Sequence, residues 1–281
     1  LEHLFVHSAD HTRLHVVHLP PAAEARGDVV IVHGLAEHAG RYDYVMERLA
    51  AEGWHAWFLE LRGHGDSEGR RGHVGAWADY DQDLLAVARH LDRPFHVLAH
   101  SMGGLVVLDA VLAGLPLHVA SVALTNPLLG LALVAPRWKT LGATCLSAIL
   151  PTLPIGNELE PAFLCHDAAV VEAYRQDPKV FKTVTPRWYA EMNRAMERVQ
   201  AAAGVFLPPL LMITSTGDRI CSPEQARHFV EASGGPHEHL VLQDLFHEVL
   251  NEASRDETLD RILAWFRDHP PTSPTRTEKQ P

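Results

Sequence analysis

The chain is short of cysteine. Its 281 residues hold three, Cys145, Cys165 and Cys221, and none is in a C-x-x-C spacing. That count excludes a disulfide framework and supplies no cysteine metal cluster. It fits a reducing compartment, so a cytoplasmic location is expected. Positive charge is also scarce: 24 Lys and Arg stand against 35 Asp and Glu, for a formal charge of −11 and a pI near 6.0. A chain of that sign does not attract a phosphate backbone, and no nucleic-acid partner is expected. The opening residues do not read as a charged-then-apolar leader. No apolar run reaches the roughly 18 residues of a membrane-spanning helix. The first residue is Leu1, not Met, so the sequence does not say whether the N-terminus was processed.

What is present is apolar bulk and alternating pattern. The chain is 47% hydrophobic, which at this length suffices for one large α/β domain with an insertion. Its 20 histidines are too many for one site, and most read as ordinary core or surface residues; they weaken the negative charge in mild acid. His3–Val6 and Arg13–His18 read as an antiparallel hairpin. Asp28–His33, Trp54–Leu59, Phe95–Ala99, Val119–Leu124, Pro208–Thr214 and Glu238–Leu242 read as strands, several of them unbroken apolar runs buried on both faces. Tyr42–Glu52, Trp77–Leu91, Pro223–Ala232 and Arg255–Asp268 have helical spacing, and the carboxylates of Asp79, Asp81 and Asp83 suit the start of the second of these. Strands alternating with helices imply an α/β fold with a mainly parallel sheet covered on both faces. Alternation lapses between residues 127 and 204. The expected organisation is a core in two parts, 1–126 and 205–269, a cap inserted at 127–204, and a disordered Pro- and Thr-rich tail at 270–281.

The chemistry centres on His96–Gly104, His-Val-Leu-Ala-His-Ser-Met-Gly-Gly. An apolar strand stops at Ser101 and an apolar helix follows the glycines. This is the strand–turn–helix of a nucleophile elbow, with Ala99 where Gly is usual and Gly103 in the second glycine position. A serine hydroxyl is a poor nucleophile near neutrality. It needs a base within hydrogen-bond reach, and the base needs a third group to fix its tautomer. Groups that act together in an open α/β sheet lie beyond the carboxyl ends of strands. Asp218 follows one such end, in Thr214-Ser-Thr-Gly-Asp218, and His247 lies past the last strand, in Gln243-Asp-Leu-Phe-His247. The order Ser, Asp, His is that of the α/β-hydrolases. Asp244, three residues before His247, reads as a loop cap, and His239 lies within a strand. His100 reads as a packing residue and His33 as a brace. Backbone N–H groups must meet the developing oxyanion: those of Met102 and Leu35 are the candidates.

With these residues in place a resemblance emerges. His33-Gly-Leu-Ala-Glu-His-Ala-Gly-Arg-Tyr42 resembles the HGxxEHxxRY signature of the monoacylglycerol lipase and lysophospholipase branch of the serine α/β-hydrolases. Arg62-Gly-His-Gly-Asp-Ser-Glu-Gly69 resembles its GHGxSxG loop. AHSMGG, Asp218-Arg-Ile-Cys221, His247-Glu-Val-Leu-Asn251 and Tyr174-Arg-Gln-Asp-Pro178 continue the likeness. The resemblance implies Ser101 as nucleophile, Asp218 and His247 as its partners, and Leu35 and Met102 as oxyanion donors. It also implies that Glu37, Arg41 and Tyr174 hold the polar glycerol end, although Glu37 and Arg41 equally suit bracing the next helix. The expected activity is hydrolysis of a single-chain lipid ester, monoacylglycerol first, with no cofactor and no metal. Lysophospholipid or small-ester hydrolysis on the same triad is the alternative, and a ligand-binding protein on this fold is the non-enzymatic one. The cap's apolar pieces, Leu128–Ala135 and Leu141–Leu153, suit an acyl-chain tunnel and peripheral contact with a membrane.

Overall fold

A computed structural model describes residues 1–22, 24–91, 93–132, 146–157 and 159–271. Eight strands form one sheet: β1 (Glu2–His7), β2 (Arg13–Leu19), β3 (Gly27–Val32), β4 (Trp54–Leu59), β5 (Phe95–His100), β6 (Val119–Thr125), β9 (Leu210–Ser215) and β10 (His237–Leu242). Their spatial order is β1-β2-β4-β3-β5-β6-β9-β10. The β1–β2 and β2–β4 pairings are antiparallel and all the others parallel. A second, two-residue pair, β7 (Ile155–Gly156) with β8 (Thr183–Val184), lies in the stretch between β6 and β9.

The strand sequences dictate two cores because successive side chains point to opposite faces. On one face Val30, Val32, Val97, Ala99, Val122 and Met212 meet helices α2 (Ala78–Leu91), α3 (Met102–Leu112), α5 (Pro186–Ala201) and α6 (Pro223–Ala232). On the other, Val29, Ile31, Phe58, Leu98, Ala123 and Ile213 meet α1 (Asp43–Ala51) and α7 (Arg255–Asp268). This double cover explains the unbroken apolar runs of the central strands. It makes the architecture an α/β-hydrolase fold, and the expected strands and helices appear within two residues of the bounds read from pattern, except that α3 starts at Met102 and includes both glycines it was expected to follow.

The carboxylates expected at the start of α2 are there, Asp79 and Asp81 in its first turn. Asp81 and Asp83 are also buried, and the Asp83 carboxylate accepts from Nε and Nη2 of Arg62 at 2.9 and 2.6 Å. Only Asp79 caps, accepting from the Ala76 N–H at 3.0 Å.

Between β6 and β9 the described residues include α4 (Ala168–Gln176) and α5. Helix α5 packs on α3 and is pinned to it by Arg198, whose Nε donates to Asp109 at 3.0 Å. Trp188 of the same helix donates to the Tyr80 hydroxyl at 3.2 Å. Residues 133–145, with Arg137, Lys139, Cys145 and part of each apolar piece, and the tail from 272, lie outside the described residues.

Candidate active site

Ser101 stands between β5 and α3 with φ +49° and ψ −117°. Positive φ in a residue with a side chain is strained by about 1–3 kcal/mol, and surrounding structure must impose it. Here the Ser101 N–H donates to Thr125 O at 3.1 Å, and its carbonyl accepts from Gly104 and Leu128. Helix and strand approach so closely that a Cβ on Gly103 would sit 2.3 Å from the Val32 carbonyl oxygen. That is the physical demand behind this glycine. Ala99, by contrast, is fully buried in the core of β5, where its methyl has room.

The expected base and acid meet. His247 Nδ1 lies 2.8 Å from Asp218 Oδ2, both groups buried. Asp218 Oδ1 accepts the N–H groups of Ile220 and Cys221 at 2.8 and 3.0 Å, so the turn after β9 holds the carboxylate in one orientation. Burial alone would lower the His247 pKa. The Asp218 carboxylate, through charge and hydrogen bond, outweighs it and holds the imidazole above its ordinary value. Asp244 is exposed and held at φ +57°, its N–H on Thr216 Oγ1. His239 lies in β10, with Nε2 2.8 Å from Thr214 Oγ1. Among the described residues the one contact of the Ser101 hydroxyl is Cys221 Sγ at 3.9 Å. Cys221 in turn groups with Asp218 and His247, one sulfur, oxygen or nitrogen atom from each lying within 4.8 Å of the others. Serine and imidazole thus flank the same thiol without a direct hydrogen bond, a looseness common before substrate tightens the site.

The loop after β3 lies against the nucleophile: a Cβ on Gly34 would meet Ser101 Cβ at 3.2 Å. Leu35 is the next residue. Met102 opens α3, where N–H groups have no intrahelical partner. Among the described residues, neither N–H has a hydrogen-bond acceptor. His33 is a neutral brace. Its Nε2 accepts the Leu61 N–H at 3.0 Å, which leaves Nδ1 to donate to Gly34 O at 2.7 Å, and burial lowers its pKa. His100 has Nδ1 on Thr125, its ring centre is 4.7 Å from that of His247, and burial pushes it down to about 4.

Glu37, Arg41 and Tyr174 are brought together, with the Glu37 carboxylate and Arg41 Nη2 engaged and the buried Arg41 Nε without a hydrogen-bond partner among the described residues. Arg41 Nη2 donates to both oxygens of Glu248, at 2.7 and 2.6 Å. Its Nε is 3.3 Å from Glu37 Oε1, and its guanidinium lies 4.6 Å from the Tyr174 ring centre. Glu37 Oε2 accepts from the Gly34 N–H and the Tyr42 hydroxyl at 2.7 and 2.8 Å. Neither side chain caps α1. Burial opposes the charge on Glu37, but His100 and Arg41 hold its pKa at about 2. Glu37, Arg41, Tyr42, Glu248 and His100 help line a cavity of about 10 Å³, room for a single water; Tyr174 is not part of its lining.

Two groups of side chains have the composition of metal ligands. In Asp218, Cys221 and His247 both carboxylate oxygens and Nδ1 are already engaged, and burial raises the thiol's pKa, against thiolate. In His15, Glu60 and Asp66 the Glu60 carboxylate already accepts from His15 and from the N–H groups of Ala39 and Asp66. Neither set offers the free donors that a metal needs.

Sequence reasoning missed two residues. Asn126 follows β6 at φ +41° and holds the His247 carbonyl; an Asn-Pro pair at a strand's carboxyl end is the signal that could have found it. Glu248 follows the base directly and carried no signal apart from its position.

Compared with known proteins, residues 23–254 match the family model described as serine aminopeptidase, S33. The chain is 32% identical over 256 residues to a monoacylglycerol lipase of Mycolicibacterium smegmatis, covering 89% of this chain and 91% of that one. It is 29% identical over 252 residues to an uncharacterized abhydrolase domain-containing protein of Dictyostelium discoideum, and spans 27% of that protein's length. The crystal structure of the Paleococcus ferrophilus monoacylglycerol lipase superposes with a TM-score of 0.85 at 27% identity, covering 91% of this chain and 99% of that one. The chain belongs to the serine aminopeptidase S33 family of α/β-hydrolases.

Proposed function

We propose, from that membership, that the chain hydrolyses the ester of a single-chain lipid, monoacylglycerol before others, through an acyl-enzyme on Ser101. The observation that carries the reading is the strained Ser101 at the elbow, beside a His247 whose Nδ1 is held by Asp218 at 2.8 Å. With Nδ1–H donated to Asp218, the lone pair on Nε2 is left to take the serine proton. The imidazolium then returns that proton to the leaving glycerol oxygen, and water repeats the sequence on the acyl-enzyme. The N–H groups of Leu35 and Met102 face the oxyanion.

The stretch 127–204 serves as a cap in this reading. Leu35 and Ile220 pack with the buried Leu164, Val180 and Phe181 and form an apolar wall for the acyl chain. The polar end of the substrate lies toward Glu37, Arg41 and Tyr174. Among the described residues no helix is long and apolar enough to cross a membrane. Exposed Ile149, Leu150 and Leu153, at 75%, 49% and 42%, favour peripheral contact of the cap with a lipid surface. Six cap cations would suit a lysophospholipid phosphate: Arg137 and Lys139 lie outside the described residues, Lys182 is exposed, and Arg175 pairs with Glu160 and Glu172, Lys179 with Asp66, and Arg187 with Glu191. This neutralisation ranks the uncharged glycerol head first.

The test is hydrolysis of monoacylglycerol, lysophosphatidylcholine and triacylglycerol of matched chains, with Ser101→Ala as control and phosphonate labelling of the serine. Monoacylglycerol should be fastest, and longer acyl chains should raise kcat/KM until the tunnel is full, each methylene contributing about 0.8 kcal/mol. Equal turnover of triacylglycerol, or labelling that survives Ser101→Ala, refutes the reading.

A further inference from the structure

The Glu37–Arg41–Glu248 bridge is buried and polar, and it belongs neither to the triad nor to the oxyanion donors. Its ends are what matter. At one end Glu37 Oε2 takes the Gly34 N–H, at the root of the loop that presents Leu35. At the other, Glu248 is bonded through its own peptide to His247. The N–H of Glu248 donates to Leu164 O at 2.7 Å, and that of His247 to Phe163 O at 3.3 Å. Asn251 Nδ2 donates to Glu248 Oε2 at 2.8 Å. In the middle, Arg41 grips both oxygens of Glu248 and lies over Tyr174 of α4. One guanidinium is therefore the common contact of three segments: the oxyanion loop, the base loop and the stretch inserted between β6 and β9.

One guanidinium nitrogen, Nη2, is shared between both Glu248 oxygens, and charge-assisted hydrogen bonds of this kind are roughly twice as strong as neutral ones. Arg41 and Glu248 are each almost fully removed from solvent, at 9% and 4% side-chain exposure, and are occupied by one another. Both Glu248 oxygens are taken by Arg41, and Oε2 by Asn251 as well, so Glu248 has little capacity left for a ligand hydroxyl, whereas the buried Arg41 Nε makes no hydrogen bond among the described residues. We infer that Glu248 is a positioning residue: through Arg41 and Glu37 it sets the placement of His247 against the Gly34–Leu35 loop, and it acts on catalysis whatever the head group of the ester. The inference rests on the roles proposed above for Ser101, His247 and Leu35. Its physical basis is that a base must stand within hydrogen-bond reach of the proton it takes, and an error of about 1 Å costs about 100-fold. The bridge has a second consequence. Two carboxylates against one guanidinium leave surplus negative charge near the imidazole, and both Glu248 and Glu37 favour its protonated form, alongside Asp218 and against burial.

The experiment is Glu248→Gln, close in shape and short of one charge, assayed on monoacylglycerol and on a p-nitrophenyl ester of the same acyl chain, which has no glycerol. Expected is a fall in kcat of about 10- to 100-fold on both esters, with KM within about twofold. Arg41→Met should fall as far, and the double variant no further than the worse single one, as for groups that act as a unit. The acid limb of the kcat/KM profile should move to lower pH. A KM increase confined to monoacylglycerol would make the bridge a glycerol contact and overturn the inference. So would losses that multiply in the double variant, or a lower thermal midpoint with an unmoved acid limb. Titration of the His247 ring by NMR in a Ser101→Ala background needs no turnover. Glu248→Gln should lower that pKa, and an unchanged titration counts against the bridge. A wild-type chain that cleaves neither ester refutes the proposed function instead, and the NMR comparison still reads the bridge.

Discussion

Asn126 Nδ2 donates to the carbonyl oxygen of His247 at 2.7 Å. The orientation of the amide is fixed by its other end, because Oδ1 accepts the Ser215 N–H at 2.9 Å and an N–H can only donate. One side chain at the end of β6 thus ties the end of β9 to the loop that carries the imidazole. Replacing Asn126 by Ala orphans a buried N–H and a buried carbonyl, at about 1–3 kcal/mol. It should lower kcat about 10-fold or more with little change in KM, measured beside a denaturation curve. Unchanged kcat would show that the loop is held without it.

Asp218 and Asp244 make a matched pair of tests. Asp218→Asn removes the acceptor that selects the Nδ1–H tautomer, and in a well-studied triad such a change costs about 10⁴ in turnover. Asp244→Asn should leave turnover near wild type. The reverse result would reassign the acid.

The pH dependence follows from His247. Its pKa in the folded chain is raised above 6.5 by Asp218 against burial, and it works as a base only when neutral. Activity should therefore rise with pH through a midpoint above 6.5. The same shift contributes stability that is fully present below the unfolded value and is lost as pH rises through the folded one. An acid limb centred below 6.5 in a kcat/KM profile would contradict this.

Asp81 is a stability prediction away from the chemistry. Burial, first, and the adjacent Asp109 push its carboxyl up to about 9. The folded chain binds this proton more tightly than the unfolded one, so stability is lost as pH rises from the usual carboxylate range toward 9. Asp81→Asn should raise the thermal midpoint at pH 8 by more than at pH 5. An equal shift at both pH values would mean that the group does not titrate as described.

Much of the architecture was legible because it is written in local pattern. The runs Asp28–His33 and Trp54–Leu59 alternate nothing and must be buried on both faces, and Ser101 between an apolar strand and two glycines marks a sharp turn whatever surrounds it. Gly103 shows why: its close approach to Val32 O leaves no volume for a side chain. The rule that active groups gather past strand ends pointed to Asp218 and His247 without any knowledge of their distance.

What the sequence by itself determined is the set of elements, their order, and the three strand ends that carry Ser101, Asp218 and His247. Hydrophobic periodicity and turn chemistry act over a few residues and leave their record there. Which polar groups face one another was decided only in the tertiary structure. Arg41 and Glu248 are 207 residues apart, and nothing local distinguishes an arginine that braces its own helix from one that grips a carboxylate across the site. Asp81 and Asp83 carry the pattern of a helix start, yet the packing of α2 buries both, with Asp83 against Arg62. Buried charges must find partners wherever the chain brings them, and that pairing depends on desolvation and three-dimensional distance, neither of which is a property of neighbours in sequence.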